Sequence, residues 1–401
     1  MLLTPTGRLL RLGADGPAAL VEVQQGKGSR AFARRLVEAG AAHPIPPGHP
    51  ADDVTVVIPV KDRVEELDRC LEALTGDVLV VDDGSFQDVE AVCRRHGARY
   101  VRRENGGPAA ARNTALPLLD RAFVAFLDSD CVVGTGWLEA LRGHLEDPTV
   151  VAVAPRVVGG PRSPLDLGPR PAAVRPGSEV SYVPTAALLV RRSSLLPFDE
   201  GLRYGEDVDL VWRLVAAGGT VRYDPSVVVQ HTEPQRLTDR LVRRFHYGTS
   251  AAPLAVRHPG RLAHLVLPPW PTAVLALLLA RRPVLAVATA GLMTARLDRQ
   301  VHDRAASARL VAESVRSTGY GVGRALALLG PVGWLLARDR RAAVLLLAPI
   351  LAEWNGRRAA DPVTYTAATL LDQAAYGAGV VRGCVTHRTA GPLLPRQGRA
   401  L

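Results

Sequence analysis

Between residues 53 and 255, short β-branched runs alternate with stretches of helical periodicity, and this alternation constrains the fold more than any other feature. VTVVIPV (54–60) predicts a strand, RVEELDRCLEALTG a helix closed by Gly76, and VLVVDD (78–83) a second strand. QDVEAVCRRHG predicts a helix ending at Gly97, and ARYVRR a short strand. PAAARNTALPLLD opens a helix with Pro108 in its first turn. FVAFLD and VVAVAPRVV (150–158) read as further strands. Strand, helix and strand in this rhythm predict βαβ units, hence an α/β fold on a mostly parallel sheet. In such sheets ligands bind beyond the carboxyl ends of the strands.

The flanks differ in texture. Residues 1–50 hold one short helical pattern, SRAFARRLVEAGAAH, with Phe32, Leu36 and Val37 at helical spacing, and then the linker HPIPPGHP. Beyond 258 come LAHLVLPPWPTAVLALLLA (262–280), ALALLGPVGWLLA (325–337) and AAVLLLAPILAEW (342–354), set off by Arg281, Arg282 and RDRR. A spanning helix needs about 20 apolar residues, and most of these runs are shorter. They suit either helices lying on a membrane surface or buried helices of a C-terminal domain. The expected segments are therefore 1–50, 51–258 and 259–401.

The formal charge of +10 comes from arginine, since lysine occurs only at Lys27 and Lys61. The arginines are dispersed without interleaved aromatics, which favours a base-composition bias over a nucleic-acid partner and leaves an anionic membrane surface as an alternative. Cys70, Cys93, Cys131 and Cys384 form no CxxC pair, so neither zinc nor a disulfide framework is expected and a reducing cytosol fits. MLLTPTGRLLRLG lacks the apolar core of a secretory signal. The expected location is cytoplasmic, with the inner face of the cell membrane as an option.

Acidic residues cluster at three predicted strand ends: Asp62, then Asp82 with Asp83, then Asp128 with Asp130. On neighbouring strands they would converge on one cleft. Asp82 and Asp83 precede the Gly84-Ser85 turn and could accept hydrogen bonds from a base or ribose, or cap a turn. Asp128 and Asp130, if extended, point the same way and suit a hard divalent cation, Mg²⁺ or Mn²⁺. Gly106-Gly107 opens a helix whose first N–H groups form an anion site, with Arg112 one turn on as a phosphate partner or an ordinary surface arginine. In YGEDVDLVWRL, Glu206, Asp207 and Asp209 crowd a helix start, either as caps or with an aspartate as general base. Arg213 could orient that site or hold a phosphate. His231 ends a β-like run and is a candidate further metal ligand.

With these motifs in order, residues 54–250 resemble the family 2 glycosyltransferases of GT-A fold. VVIPVKDR, VVDDGSFQD, ENGGPAAARN, FLDSD and GEDVDLVWR carry the resemblance. It implies a mixed, mostly parallel sheet and inverting sugar transfer from a UDP-sugar donor, with a divalent metal on the diphosphate. It implies nucleotide-sugar contacts at Pro59, Asp62, Asp82, Asp83, Gly107, Arg112, Asp128, Ser129 and Arg213. The metal would sit on Asp130 and His231, and Asp207, beside Glu206, would be the catalytic base. VPTAALLVRRSSL, LRYGEDVDLVWRLVAAGGTVRYDPSVVVQHTEP and RRFHYGTSAAPLAVRHPG resemble the mycofactocin-biosynthesis glycosyltransferases more closely. That resemblance implies a β-linked glucose chain, drawn from UDP-glucose and built on a peptide-derived redox cofactor. The first 45 residues resemble the end of a peptide-binding winged helix, lacking its opening strands. The QxxRW motif of processive enzymes is absent. A lipid-linked or cell-wall glycan acceptor, and a non-catalytic peptide-binding scaffold, are the alternatives.

Overall fold

The computed structural model describes residues 2–3, 9–10, 12–13, 15–160, 163–234, 236–357 and 361–398. The chain forms two compact units, Leu2–Glu233 and Pro234–Leu401.

The first unit opens with an antiparallel pair, β1 (Leu2–Leu3) and β2 (Leu9–Leu10), and two helices, α1 (Gly16–Gln24) and α2 (Arg30–Glu38). Sequence periodicity revealed α2, whose Leu36 is buried, but not α1, whose run GPAALVEVQ has no polar stripe. Then follow β3 (Val54–Val60), α3 (Val64–Glu72), β4 (Asp77–Asp82), α4 (Val89–His96), β5 (Arg99–Arg102) and α5 (Pro108–Ala115). After these come β6 (Phe123–Leu127), β7 (Cys131–Val133), α6 (Trp137–His144), β8 (Val150–Val158), β9 (Ala172–Ala173), β10 (Ala187–Arg191), α7 (Glu206–Ala216) and β11 (Thr220–His231). The local signals are conventional. Asp88 caps α4 by accepting the Ala91 amide at 3.0 Å, and Gly97 ends it in left-handed backbone.

Among the described residues these strands make one nine-stranded mixed sheet, ordered β5–β4–β3–β6–β10–β8–β11–β7, with β9 on β11. The β5–β4–β3–β6 half is wholly parallel, while β10 runs antiparallel to both β6 and β8. Strands β3 and β6 are buried almost throughout, which explains their uninterrupted apolar runs. Strand β11 is longer than the β-like run that ends at His231 suggested. Its register shifts between Asp224 and Val228, around Pro225, and that irregularity hid its first half. The register sets Val60 beside Asp82, so β3 and β4 end level and their following loops meet at one sheet edge.

The second unit is helical: α8 (Leu237–Thr249), α9 (Ala251–Arg257), α10 (Pro269–Leu279), α11 (Pro283–Val301), α12 (Arg304–Leu328), α13 (Pro331–Leu336), α14 (Arg340–Arg357) and α15 (Pro362–Thr386). It begins at Pro234, ahead of the expected boundary at 258, because α8 and α9 pack on α15. Ala251 and Ala252 share a small core with Val380 and Cys384. Among the described residues no helix is long and apolar enough to cross a membrane.

Candidate active site at the strand ends

Beyond β3 the chain turns sharply. Asp62 and Arg63 both adopt left-handed backbone, φ 57° and 61°, which non-glycine residues seldom do. Hydrogen bonds hold the turn. Asp62 Oδ1 accepts from the amides of Phe86 at 2.8 Å and Gln87 at 3.3 Å, and its own amide donates to Ser85 Oγ at 2.7 Å. Pro59 lies half-buried one residue before the end of β3, beside Val81.

The two aspartates after β4 diverge. Asp82 is fully buried, its carboxylate taken up by the Ser85 amide (2.8 Å), Tyr100 OH (2.9 Å) and Arg102 Nη1 (2.9 Å). Asp83 accepts from Arg103 Nη1 at 2.5 Å and from the amides of Gly106 and Gly107 at 2.9 and 2.7 Å. This corrects the expectation of an open anion site at Gly106-Gly107. Those N–H groups are satisfied by the chain's own carboxylate, and Asp83 thereby anchors the start of α5.

A second correction concerns Asp128 and Asp130. They are not extended: the Cys131 amide donates to Asp128 O at 3.0 Å, closing a turn around buried Ser129. The turn turns the carboxylates toward different cations. Asp128 Oδ1 accepts from Arg112 Nη2 at 2.7 Å, whereas Asp130 Oδ2 accepts from Arg63 Nη1 at 2.5 Å. Asp130 Oδ1 also stands 3.5 Å from His231 Nε2, and His231 Nδ1 stands 3.4 Å from Glu233 Oε1. Burial, then Asp128, push the Asp130 carboxyl up, with His231 and Arg63 opposing. Burial works against the His231 imidazolium, but Glu233 and Asp130 outweigh it and its pKa is raised.

Arg112 is the third correction. It is 3% exposed and bridges Asp128 to Glu206, whose Oε1 accepts from Nη1 at 2.9 Å, with the guanidinium 5.5 Å from the centre of the Phe198 ring. Neither a surface arginine nor an open phosphate clamp, it joins the β6 turn to the start of α7. Glu206 is pushed up by burial, with Arg112 pulling the other way. Asp207 is half-buried, and its Oδ1 accepts the Val208 amide at 2.8 Å. Desolvation, then the neighbouring Glu206, raise its carboxyl to about 7. Arg213 is taken up by Asp209 Oδ2 at 2.7 Å and Pro197 O at 2.8 Å, contacts that fix α7 rather than reach for a phosphate.

The acidic residues thus form one connected edge. Gly107, at the start of α5, meets Asp83, and Arg112 in the same helix reaches Asp128 and Glu206. Ser85 ties the Asp82 turn to Asp62, and Arg63 continues to Asp130 and His231. Sequence reasoning missed Arg63, Tyr100, Arg102, Arg103 and Glu233. The spacing of Tyr100 and Arg102, two apart on a strand beside β4, carried a signal for that pair.

The chain is 39% identical, over an alignment of 459 positions, to the pre-mycofactocin glycosyltransferase of Mycobacterium tuberculosis (strain H37Rv), spanning 98% of this chain and 93% of that protein. A family model described as glycosyl transferase family 2 matches residues 55–194. The chain belongs to glycosyl transferase family 2. This glycosyltransferase is also 36% identical over 100 residues to glycosyltransferase AglE of Haloferax volcanii, covering 21% of this chain and 33% of that one. Among solved structures it is similar to the mannosyltransferase PcManGT from Pyrobaculum calidifontis, in complex with GDP-Man and Mn²⁺. The TM-score is 0.51 at 20% identity, covering 92% of this chain and 94% of that one. That likeness shows the fold, a GT-A glycosyltransferase with a helical C-terminal region. Glu206, Asp207 and His231 lie beyond the residues that the family model matches.

Proposed function

We propose that this glycosyltransferase moves glucose from UDP-glucose to a hydroxyl of the peptide-derived precursor of mycofactocin, inverting the anomeric centre and extending a β-linked glucan. The acceptor is carried over from the Mycobacterium tuberculosis relative. One observation supports the chemistry: Arg112 bridges Asp128 to Glu206, the residue before Asp207, whose carboxyl is raised to about 7. A base with a pKa near the working pH takes up a hydroxyl proton most effectively.

In this reading Asp62, Asp82 and Asp83 shape the pocket for the nucleoside, with Pro59 and Ser129 at its walls. Asp82 acts through the turn it organises. Asp207 removes the proton of the acceptor hydroxyl. The freed oxygen attacks the anomeric carbon from the face opposite UDP, the bond from that carbon to the diphosphate oxygen breaks, and UDP leaves with the electron pair. One displacement suffices, with no sugar–enzyme intermediate.

The donor set fits a divalent cation. A carboxylate and an imidazole, Asp130 and His231, lie 3.5 Å apart, and the Arg63 guanidinium already supplies a positive charge at Asp130. Among the described residues no group of three or more His, Cys, Asp and Glu side chains is arranged to hold a metal ion. One carboxylate completed by donor phosphates matches how Mg²⁺ commonly binds, and the imidazole would be an added ligand. Asp130 and His231 would hold the ion, which supplies charge neutralisation for the departing diphosphate.

We assign this chemistry to residues 51–233 of the first unit, take 1–50 as a peptide-binding module, and place the helical unit from Pro234 on at the inner face of the cell membrane. Aliphatic side chains exposed on the C-terminal helices favour one second reading, a membrane-borne glycan acceptor. Transfer from UDP-glucose to each acceptor, followed by mass spectrometry, distinguishes them. The Asp207→Asn variant is expected to lose roughly 10²–10⁴-fold in kcat while UDP affinity holds. An equal collapse of UDP affinity would sink the assigned role.

A further inference from the structure

Two turns of the C-terminal unit lie together. Arg341, at the start of α14, donates from Nη1 to the carbonyl of Leu279, the last residue of α10. Arg281, just after α10, lies close enough to Asp339 to add to the pull of the Arg341 and Ala342 amides in holding that carboxyl low. The joined turns carry aliphatic side chains in the open: Val284 is 79% exposed, Leu335 55%, and Leu285 and Leu336 53% each. Around them stand Arg281, Arg282, Arg338, Arg340 and Arg341, against a single carboxylate, Asp339.

The charge pattern selects the occupant. Pairing two copies through this tip would bring like-charged arginine sets together. An aliphatic rather than aromatic centre offers no stacking platform for a nucleic acid. An anionic lipid leaflet satisfies both parts at once, apolar side chains entering the acyl boundary while arginines meet headgroup phosphates. No helix among the described residues is long and apolar enough to span, so the contact argued for is with one leaflet.

We propose that residues 278–287 and 332–341 form a docking tip for the surface of an anionic membrane. The inference rests on the membrane placement given above and not on the sugar chemistry, so vesicle binding and sugar transfer fail separately.

The test is flotation of the full chain with vesicles of phosphatidylcholine alone, and with vesicles mixed equally with phosphatidylglycerol. Binding is expected only to the anionic vesicles and weakens as salt is raised. Arg281→Gln with Arg282→Gln is expected to weaken it on the order of 25-fold, about fivefold per arginine. Val284→Ser with Leu285→Ser abolishes it with every charge intact, and Leu335→Ser with Leu336→Ser, on the other turn, does the same. All three double variants keep wild-type transfer to a water-soluble acceptor. Equal binding to neutral vesicles, variants that bind like the wild type, or light scattering that shows a dimer dissolved by the serine variants without any vesicle binding, each overturns the proposal.

Discussion

Ionisation of Asp207 is opposed by burial and by Glu206 beside it, and the group is raised from the usual 3.8 to about 7. In the proposed role as base, Asp207 must be a carboxylate to take up the proton. Transfer is therefore expected to rise as pH increases through about 7 and to level off above it, measured as kcat under saturating donor. The stability contribution has the opposite sense. It is present below the unfolded value, where the neutral acid is favoured, and is lost as pH rises through about 7. Arg112 is the other decisive side chain. Its removal leaves Asp128 and Glu206 without their shared cation in a buried site. Arg112→Leu is expected to cost about 3–5 kcal/mol in urea unfolding. Arg63 works in the contrary direction, since its guanidinium pairs with Asp130 and would compete with the proposed divalent ion. Arg63→Ala is expected to tighten Mn²⁺ binding several-fold in titration calorimetry without donor, and unchanged affinity would remove Arg63 from the metal's surroundings.

Among the elements, α5 and the helices around α15 depend on close backbone approach. Gly84 sits at φ 76°, and a Cβ there would meet the Asn105 amide nitrogen at 3.0 Å. Gly84→Ala is expected to cost about 1–2 kcal/mol and to weaken UDP binding, because it displaces the loop that delivers Gly106 and Gly107 to Asp83. In the C-terminal unit, Gly379 of α15 faces α8 so closely that a Cβ would lie 1.9 Å from Phe245 O. Small residues let these helices pack backbone to backbone, as helices in apolar surroundings often do. Gly379→Ala is expected to destabilise that unit by about 1–3 kcal/mol, read as a lowered Tm, without altering donor affinity.

At the scale of the molecule, the residues proposed for donor chemistry fall within Leu2–Glu233, and the proposed membrane tip within Pro234–Leu401. UDP-glucose with Mn²⁺ at about 100 times its Kd is expected to stabilise the first unit by about 2.7 kcal/mol. Scanning calorimetry should show one transition move and the other stay. The parallel half of the sheet was legible in the sequence, because strands buried on both faces must be continuously apolar and their crossover helices must be amphipathic. So were the acidic strand ends and the acidic start of α7, since carboxylates are seldom set against buried runs without a use. Strand β10 and the first half of β11 were not, because pairing partners far along the chain define them. Nor was the division at Pro234, which packing of α8 and α9 on α15 decides. By itself the sequence determined the fold class and the family motifs, which follow from local periodicity and residue type. Only the tertiary structure decided which cation each carboxylate meets. Arg112 goes to Asp128 and Glu206, Arg63 to Asp130, and Gly106 and Gly107 to Asp83, since ion pairing inside a protein depends on distances that chain order does not encode.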